Sequence, residues 1–448
     1  MKVLVVGNSL MALRIVSTLM HTHQVVWLRS QDAQDWKMDQ LNADVLTGEI
    51  TSPSWLSRAG ADGAQVFVAC SLSDERNIVA CIAAKRLGAR RTICVVNGRG
   101  FLTNASEGPG IARSLGIDEV VRPIEQLAHE LISIVLVPGA LEVESIADGR
   151  LAMLRYAVES NAAAVGCSLS DLKLPGDTRL VYVRRGEEPI VPRGDTALEP
   201  GDKVIAVGTR ASLNRLGRLF CDAPRGVKEA AIIGGGRVGR AVARGLMDAG
   251  FRVTVVEADA ERCQVIAQRT EALVLHGDGT DVDFLEQEHI AEKPIVVAVT
   301  SSDERNLLVS LVMKQLGTAR VLTRADRLSN ERLFEKVGVD VVRSAKGAAI
   351  RNILRSVDEG ESTILAEFEH GAACLLELTL GASSQEIALT DLSPPAYAVV
   401  GAILRGEQAL VPGGGDSLKP GDHLFVFCSR KDEAEVREYF AHPTPRTS

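Results

Sequence analysis

The sequence is poor in aromatic residues, has no basic surplus and contains no long apolar run. Only 4% of its 448 residues are aromatic, so a core must be built from Val, Leu, Ile and Ala. The net charge of −8 leaves no surplus cations for a phosphate backbone, which argues against a nucleic-acid binder. The longest apolar stretch, residues 131–143, is interrupted by Pro138 and Gly139 and falls short of the ~20 residues of a membrane-spanning helix. No signal peptide is visible, so we expect a cytoplasmic protein.

Common catalytic and metal-binding motifs are also missing. The eight cysteines are scattered without a CxxC pair, which predicts reduced core residues rather than metal ligands. There is no Walker A loop, no HExxH and no GxSxG. Only His276 is expected near a ligand cleft, and a lone His at a strand end is more often a hydrogen-bonded polar residue than a proton shuttle. The sequence therefore predicts neither catalytic residues nor a metal site.

The pentapeptide SDERN occurs twice, at residues 73–77 and 302–306, and it marks a duplication of the whole chain. Each copy follows an apolar strand and opens a helix that ends at Gly88 or Gly317. Each region of alternating strands and helices is followed by a β-rich module with a Pro-Gly-Asp turn, at residues 200–202 and 420–422. The order A–B–A′–B′ predicts two α/β domains with parallel sheets, each followed by a small α+β module.

The second A module contains a dinucleotide-binding fingerprint. Gly234, Gly236 and Gly239 form G-x-G-x-x-G between a predicted strand and a predicted helix, and a second strand ends in Glu257. In such a motif the first glycine allows the tight turn, the second leaves room for a pyrophosphate, and the third lets helix and strand pack closely. The helix N-terminus attracts the anion. An acid at residue 257 accepts hydrogen bonds from the ribose, which favours NAD over NADP.

The first A module has lost this fingerprint. Gly7 remains, but Ser9 and Ala12 replace the other two glycines, and Arg29 stands where the second module has its acid. We interpret the first module as a folded pseudo-site, because a side chain at the second position keeps phosphates away from the backbone. The alternative is that Arg29 meets a 2′-phosphate, which requires the altered loop to bind a ligand.

Two interpretations of SDERN remain open from its residues alone. Its Ser or Asp can cap the helix that follows, and its acids suit the positive helix end, so we favour a structural role over direct ligand contact. The apolar faces of the two following helices belong either to the core or to an assembly surface.

The repeat plan and its motifs resemble the TrkA family of Trk potassium-uptake systems, over roughly residues 1–440. The resemblance rests on GGGRVGRAVARGL (234–246), LHGDGTD (275–281), VAVTSSDERN (297–306) and the Pro-Gly-Asp turns. It implies tandem RCK domains: Rossmann-like N-lobes at 1–138 (degenerate site) and 227–358 (intact site), with C-lobes at 139–222 and 359–442. The family's cofactor-binding positions fall here on Gly234, Gly236, Arg237, Val238, Gly239, Glu257, Gly277, Asp278, Thr300 and Arg324.

The resemblance also implies a function. We expect a regulatory subunit, peripheral to the inner face of the cell membrane, that assembles as a dimer or tetrameric ring beneath a membrane potassium translocator. NAD(H) binding, with ATP or ADP as alternatives, would change the shape of the ring and so its gate. The competing hypothesis is an NAD-dependent oxidoreductase with a small substrate.

Overall fold

The computed structural model divides the chain into two compact units. The first comprises Met1–His129, Ala230–Met247 and Val253–Val357, and the second comprises Glu130–Glu229, Asp248–Arg252 and Asp358–Ser448. The first unit contains both parallel sheets, and the second contains the antiparallel sheets. The residues that the structure describes are 1–30, 42–98, 110–147, 149–186, 188–221, 228–357, 362–368, 373–381, 386–392, 394–395, 398–441 and 443.

The first N-lobe, N1, is a doubly wound α/β domain, as expected. Its strands are β1 (Lys2–Val6), β2 (Gln24–Arg29), β3 (Asp44–Thr47), β4 (Val66–Ala69), β5 (Arg91–Val95) and β6 (Glu119–Val121). Its helices are α1 (Leu10–Leu19), α2 (Pro53–Arg58), α3 (Asp74–Leu87), α4 (Gly110–Ser114) and α5 (Pro123–Val135). The parallel sheet has the order β3-β2-β1-β4-β5-β6, so the strand order reverses between β1 and β4. Ligands of such sheets bind at this reversal point.

The first C-lobe, C1, and the second N-lobe, N2, follow in the chain. C1 consists of β7 (Ala140–Ile146), β8 (Leu151–Ala157), β9 (Thr178–Arg185), β10 (Glu188–Ile190), β11 (Lys203–Gly208) and α6 (Arg210–Phe220). The strands of N2 are β12 (Glu229–Ile233), β13 (Arg252–Glu257), β14 (Leu273–His276), β15 (Ile295–Ala298), β16 (Arg320–Arg324) and β17 (Val341–Arg343). Its helices are α7 (Arg237–Asp248), α8 (Ala260–Ala267), α9 (Val282–Gln287), α10 (Asp303–Gln315), α11 (Leu328–Lys336) and α12 (Ala345–Val357). The order β14-β13-β12-β15-β16-β17 repeats that of N1.

The second C-lobe, C2, repeats the sheet of C1. Its elements are β18 (Ser362–Phe368), β19 (Ala373–Thr379), β20 (Ile387–Ala388), β21 (Val399–Arg405), β22 (Gln408–Leu410), β23 (Ser417–Leu418), β24 (His423–Ser429) and α13 (Glu433–Ala441). The sheet orders are β10-β9-β11-β8-β7 in C1 and β18-β19-β24-β21-β22 in C2. The two sheets pack on each other through a shared apolar cluster that includes Val181, Val207 and Phe425. The two copies therefore share one apolar cluster of the second unit, beside a cluster within each lobe.

The sequence suggests that the aspartates of the Pro-Gly-Asp turns serve only to form the turns. In the structure they also make buried ion pairs. The Asp202 and Asp422 side chains are each 1% exposed. Arg185 and Arg405 donate to them at 2.9 and 2.8 Å from the Nη2 atom. Each carboxylate also accepts a backbone N–H from three residues earlier in the chain. A buried carboxylate requires such partners, so the turn is held by an ion pair to a neighbouring strand.

Both copies of SDERN cap a helix, as we favoured from the sequence. The hydroxyls of Ser73 and Ser302 accept from the backbone N–H three residues on, each at 3.2 Å. The final Asn of each motif is buried and joins two strand ends. Asn306 accepts from the Thr300 N–H at 2.8 Å and donates to the Arg324 carbonyl at 3.0 Å. Asn77 makes the same two bonds in N1. The repeated pentapeptide therefore ties the fourth and fifth strands together in both lobes.

The helices that SDERN opens are buried on one face and partly exposed on the other. Val309 and Met313 of α10 lie in the core of N2, whereas Leu308 is 50% exposed. Val79 of α3 is 48% exposed at the matching position of N1. The structure thus assigns most of the apolar residues to the core and leaves one repeated apolar position on the surface.

N1 and N2 also share a core, which the sequence did not predict. Ala349, Ile353 and Val357 of α12 lie in the same buried cluster as Val3 and Ile15 of N1. Arg91 donates to the Ser356 carbonyl at 2.6 Å, and Ser356 donates to Glu119 at 2.7 Å. The last helix of N2 is therefore part of the packing of N1. Across the described residues, none of the helices combines the length and apolar character that crossing a bilayer would require.

Candidate functional site

A cavity of about 300 Å³ opens in the first unit where the strands of N2 end. A volume of this size is at the lower end of the range for small-molecule sites. Eight of the ten expected cofactor-binding residues line it, namely Gly234, Gly236, Arg237, Glu257, Gly277, Asp278, Thr300 and Arg324. The other two, Val238 and Gly239, are buried residues of α7 and are not among those that line the cavity. Residues far apart in the sequence therefore converge at the predicted edge of the sheet.

The three fingerprint glycines meet three different steric demands. Gly234 has φ +108° and lies so near β15 that a Cβ would be 3.0 Å from the Thr300 nitrogen. A Cβ on Gly236 would have no heavy atom within 4 Å, so this position is open towards the cavity. A Cβ on Gly239 would stand 1.9 Å from the Gly234 carbonyl oxygen. The open position is the one at which a pyrophosphate needs access to the backbone.

Glu257 ends β13 and holds the glycine loop in place. Its Oε2 atom accepts from the Gly235 N–H at 2.8 Å, and its Oε1 atom accepts from the Asp259 N–H at 3.0 Å. The sequence assigned this acid to a ribose and did not predict the bond to Gly235. Gly235 is constrained as well, because a Cβ there would be 2.3 Å from Ile266 Cδ1 and 3.1 Å from Glu257 Oε2.

Gly277 and Asp278 form the exit of β14. A Cβ on Gly277 would be 2.4 Å from the Phe284 ring, so the turn packs closely against α9. The Asp278 carboxylate accepts from the backbone N–H and the hydroxyl of Thr280, each at 2.9 Å. These hydrogen bonds hold the pKa of Asp278 below its usual range, with a smaller contribution from the Arg305 charge. Asp278 therefore stays ionised at neutral pH beside the cavity.

Thr300 and Arg324 complete the floor of the cavity at the ends of β15 and β16. The Thr300 hydroxyl donates to the Asn306 carboxamide at 2.7 Å, which links it to the SDERN helix. Arg324 donates from Nε to Asp326 at 2.7 Å, so its charge already has a partner.

The cavity lining also includes residues that the sequence did not assign to it, among them Ile124, Arg262, Gly279 and Arg305. Arg305 belongs to SDERN, whose repetition marks this segment, although the sequence pattern predicts only a helix cap there. Ile124 comes from α5 of the other half, and no local pattern could have assigned it to this cavity.

In the matching cleft of N1, side chains hydrogen-bond to the backbone at the strand exits. The Ser9 hydroxyl donates to the Cys70 carbonyl at 2.6 Å and also caps α1. This bond crosses from the exit of β1 to the exit of β4. The Trp27 indole donates to the Gly7 carbonyl at 2.8 Å, and the Arg29 guanidinium lies over the Trp27 ring, 4.9 Å from its centroid. These contacts favour the pseudo-site hypothesis over a ligand on Arg29.

The fold and the cavity define a class of protein: tandem Rossmann-like N-lobes with β-rich C-lobes, the architecture of RCK domains. The TrkA-N domain family matches residues 3–123 and 230–345, and the TrkA-C domain family matches residues 153–220 and 386–441. The chain belongs to the TrkA family. Relatives that match nearly the whole chain are named Trk system potassium uptake proteins.

Two archaeal relatives match along their whole length. A Trk system potassium uptake protein TrkA homolog of Archaeoglobus fulgidus is 29% identical over 443 residues, covering 98% of this chain and 100% of the relative. TrkA homolog 1 of Methanosarcina mazei is 31% identical over 454 residues, with the same coverage of both chains. Among solved structures, the GsuK channel bound to NAD has a TM-score of 0.58 at 20% identity, covering 98% of this chain and 79% of that chain. This likeness shows the shared fold.

Proposed function

We propose that the chain is a nucleotide-responsive regulatory subunit of a Trk-type potassium uptake system. In this proposal an adenine nucleotide binds the N2 cavity, and the chain, assembled as a dimer or tetrameric ring on the inner face of the membrane, transmits binding to a potassium translocator. Membership of the TrkA family supports the role in potassium uptake. The observation that carries the nucleotide site is the open position at Gly236, at the N-terminus of α7 and within the cavity.

The N2 residues fit a dinucleotide. The backbone at Gly236 is accessible, and the N-terminus of α7 provides N–H groups for a pyrophosphate, with Arg237 and Val238 as the first helical residues. Glu257 lies where we expect the adenosine ribose of the dinucleotide, and its negative charge would repel a 2′-phosphate. These features favour NAD(H). ATP and ADP are alternatives, because they would bind the same glycine loop and acid. The NAD named for the GsuK channel supports the same choice.

A regulatory role needs a ligand that binds two conformations unequally. Two contacts within the first unit would link nucleotide binding in N2 to the position of N1. The Arg237 guanidinium donates to the Asn97 carbonyl at the exit of β5 in N1, although Arg237 also lines the N2 cavity. Ile124 of α5 lines the same cavity. A nucleotide that draws Arg237 towards its phosphates would therefore change the contact between the two lobes.

The oxidoreductase alternative has no histidine available as a proton shuttle among the described residues that line the cavity. The His276 ring hydrogen-bonds to the Ala258 carbonyl at 3.0 Å and is not among the residues that line the cavity. The lining contains carboxylates, arginines and backbone groups, and no histidine, cysteine, lysine or tyrosine is among its described residues. The proposal therefore assigns the nucleotide a signalling role.

Thermal-shift titration tests the site. NADH, NAD⁺, ATP and ADP are titrated against the wild-type chain and Gly236→Trp, which adds an indole to a position where a Cβ meets no heavy atom within 4 Å. We expect a raised Tm with at least one nucleotide in the wild type and no shift in the variant. Equal shifts in both proteins would contradict the proposed nucleotide site in N2.

Potassium uptake tests the regulatory role. Cells that lack the chain are supplied with the wild type or with Gly236→Trp, and their potassium uptake is measured after potassium depletion. Restoration by the wild type and an altered response with Gly236→Trp are expected. Turnover of NADH by the purified chain would support the oxidoreductase instead.

A further inference from the structure

The fourth residue of SDERN occupies different environments in the two halves of the chain. In N1, the Arg76 Nη2 atom donates to both carboxylate oxygens of Glu49, at 2.7 and 2.8 Å. Glu49 follows Gly48 at the exit of β3, so this ion pair joins that exit to α3. In N2, the matching residue is Arg305, which lines the cavity.

The two exits are equivalent in position and packing. Gly48 and Gly277, Glu49 and Asp278, and Arg76 and Arg305 are each 229 positions apart. A Cβ on Gly48 would be 2.2 Å from the Trp55 ring, as one on Gly277 would be 2.4 Å from the Phe284 ring. The Arg76–Glu49 ion pair of N1 therefore shows that an arginine at the fourth position of SDERN reaches the acid at the exit of the third strand.

The acid of N2 does not take the place that Glu49 takes in N1. Asp278 is one methylene shorter, and its carboxylate is bound by Thr280. Glu49 also accepts from its matching threonine, Thr51, but is long enough to reach Arg76 as well. Within the described part of the chain, no carboxylate pairs with Arg305, which remains exposed at the cavity.

We propose that Arg305 binds a phosphate group of the nucleotide, and that the Glu49 carboxylate stands in for this phosphate in N1. The inference rests on the proposed nucleotide site and adds a ligand contact to it. A guanidinium binds a phosphate through charge-assisted hydrogen bonds in the same way that it binds a carboxylate. The repeat thus contains a closed and an open form of one anion site.

Isothermal titration with ADP tests this role in four variants. Arg305→Gln removes the charge and should weaken ADP binding roughly 10- to 100-fold, the range for a lost hydrogen bond to a charged group. Arg305→Lys keeps a cation and should recover most of that affinity. Asp278→Glu installs the longer acid of N1 and should weaken binding by pairing with Arg305. The matched control, Arg76→Gln in N1, should leave ADP affinity within about twofold, since it lies outside the N2 site.

The unfolding temperature of each variant is measured without nucleotide. A temperature equal to that of the wild type excludes misfolding as the cause of weaker binding. Unchanged affinity in Arg305→Gln, or equal losses in Arg305→Gln and Arg305→Lys, would overturn the phosphate contact. If ADP binds the wild type and Gly236→Trp abolishes binding while Arg305→Gln does not weaken it, the nucleotide site stands and only this inference fails. The titrations are repeated with NADH, and a wild type that binds neither ADP nor NADH would overturn both proposals.

Discussion

Two alanine substitutions in the glycine loop should separate packing from ligand access. A methyl group on Gly239 would stand 1.9 Å from the Gly234 carbonyl, and both positions are backbone that cannot yield without moving α7 from β12. Overpacking of this kind costs about 1–3 kcal/mol, partly offset by the better helix propensity of Ala. We expect a net loss of about 1–2 kcal/mol, which lowers Tm by about 2–8 °C in a unit of this size.

Gly236→Ala is the matched control for this prediction. Its methyl group meets no atom within 4 Å, and the residue does not have the left-handed backbone of Gly234. Stability should therefore stay within about 0.5 kcal/mol of the wild type. The methyl group enters the cavity, so the nucleotide-induced rise in Tm should shrink. Differential scanning calorimetry with and without nucleotide measures both effects. Equal destabilisation by the two substitutions, or none by Gly239→Ala, would refute the packing argument.

Four further substitutions test the supporting structure. Asn306→Ala and Asn77→Ala each remove a buried carboxamide that joins two strand ends, and each should lower the free energy of unfolding by about 2–4 kcal/mol in a urea titration. Ile353→Ala opens a cavity in the core that α12 shares with N1 and should cost about 2–5 kcal/mol; no change would contradict that shared packing. Burial opposes ionisation of Asp422, but hydrogen bonds from Arg405 and the Lys419 N–H outweigh it and hold its pKa below the usual range. Its stabilising contribution is therefore complete above the unfolded-state pKa and is lost as pH falls through the lower folded-state pKa. Acid unfolding followed by circular dichroism should show this loss, and Asp422→Ala should abolish that part of the pH dependence.

The sequence predicted those features that depend on local patterns. The fingerprint glycines, the acid at 257 and the alternation of strands and helices each depend on residues within about 30 positions, so spacing alone located them. The helix caps at Ser73 and Ser302 follow from the same local chemistry.

Contacts between distant segments escaped prediction. Ile124 reaches the N2 cavity, and α12 enters the core of N1, because the two halves pack on each other inside the first unit. Arg305 was read as part of a cap, since one sequence does not show that its twin, Arg76, already has a partner in Glu49. The Asp202 and Asp422 pairs were missed for a related reason: Pro-Gly-Asp predicts a turn, but burial of its carboxylate is a tertiary property.

Binding stoichiometry is the most direct test of the claim that N2 binds a nucleotide and N1 does not. Isothermal titration of the full chain with its preferred adenine nucleotide should give one site per chain, and Gly236→Trp should abolish it. Two sites per chain, or one site that persists in Gly236→Trp, would contradict the claim.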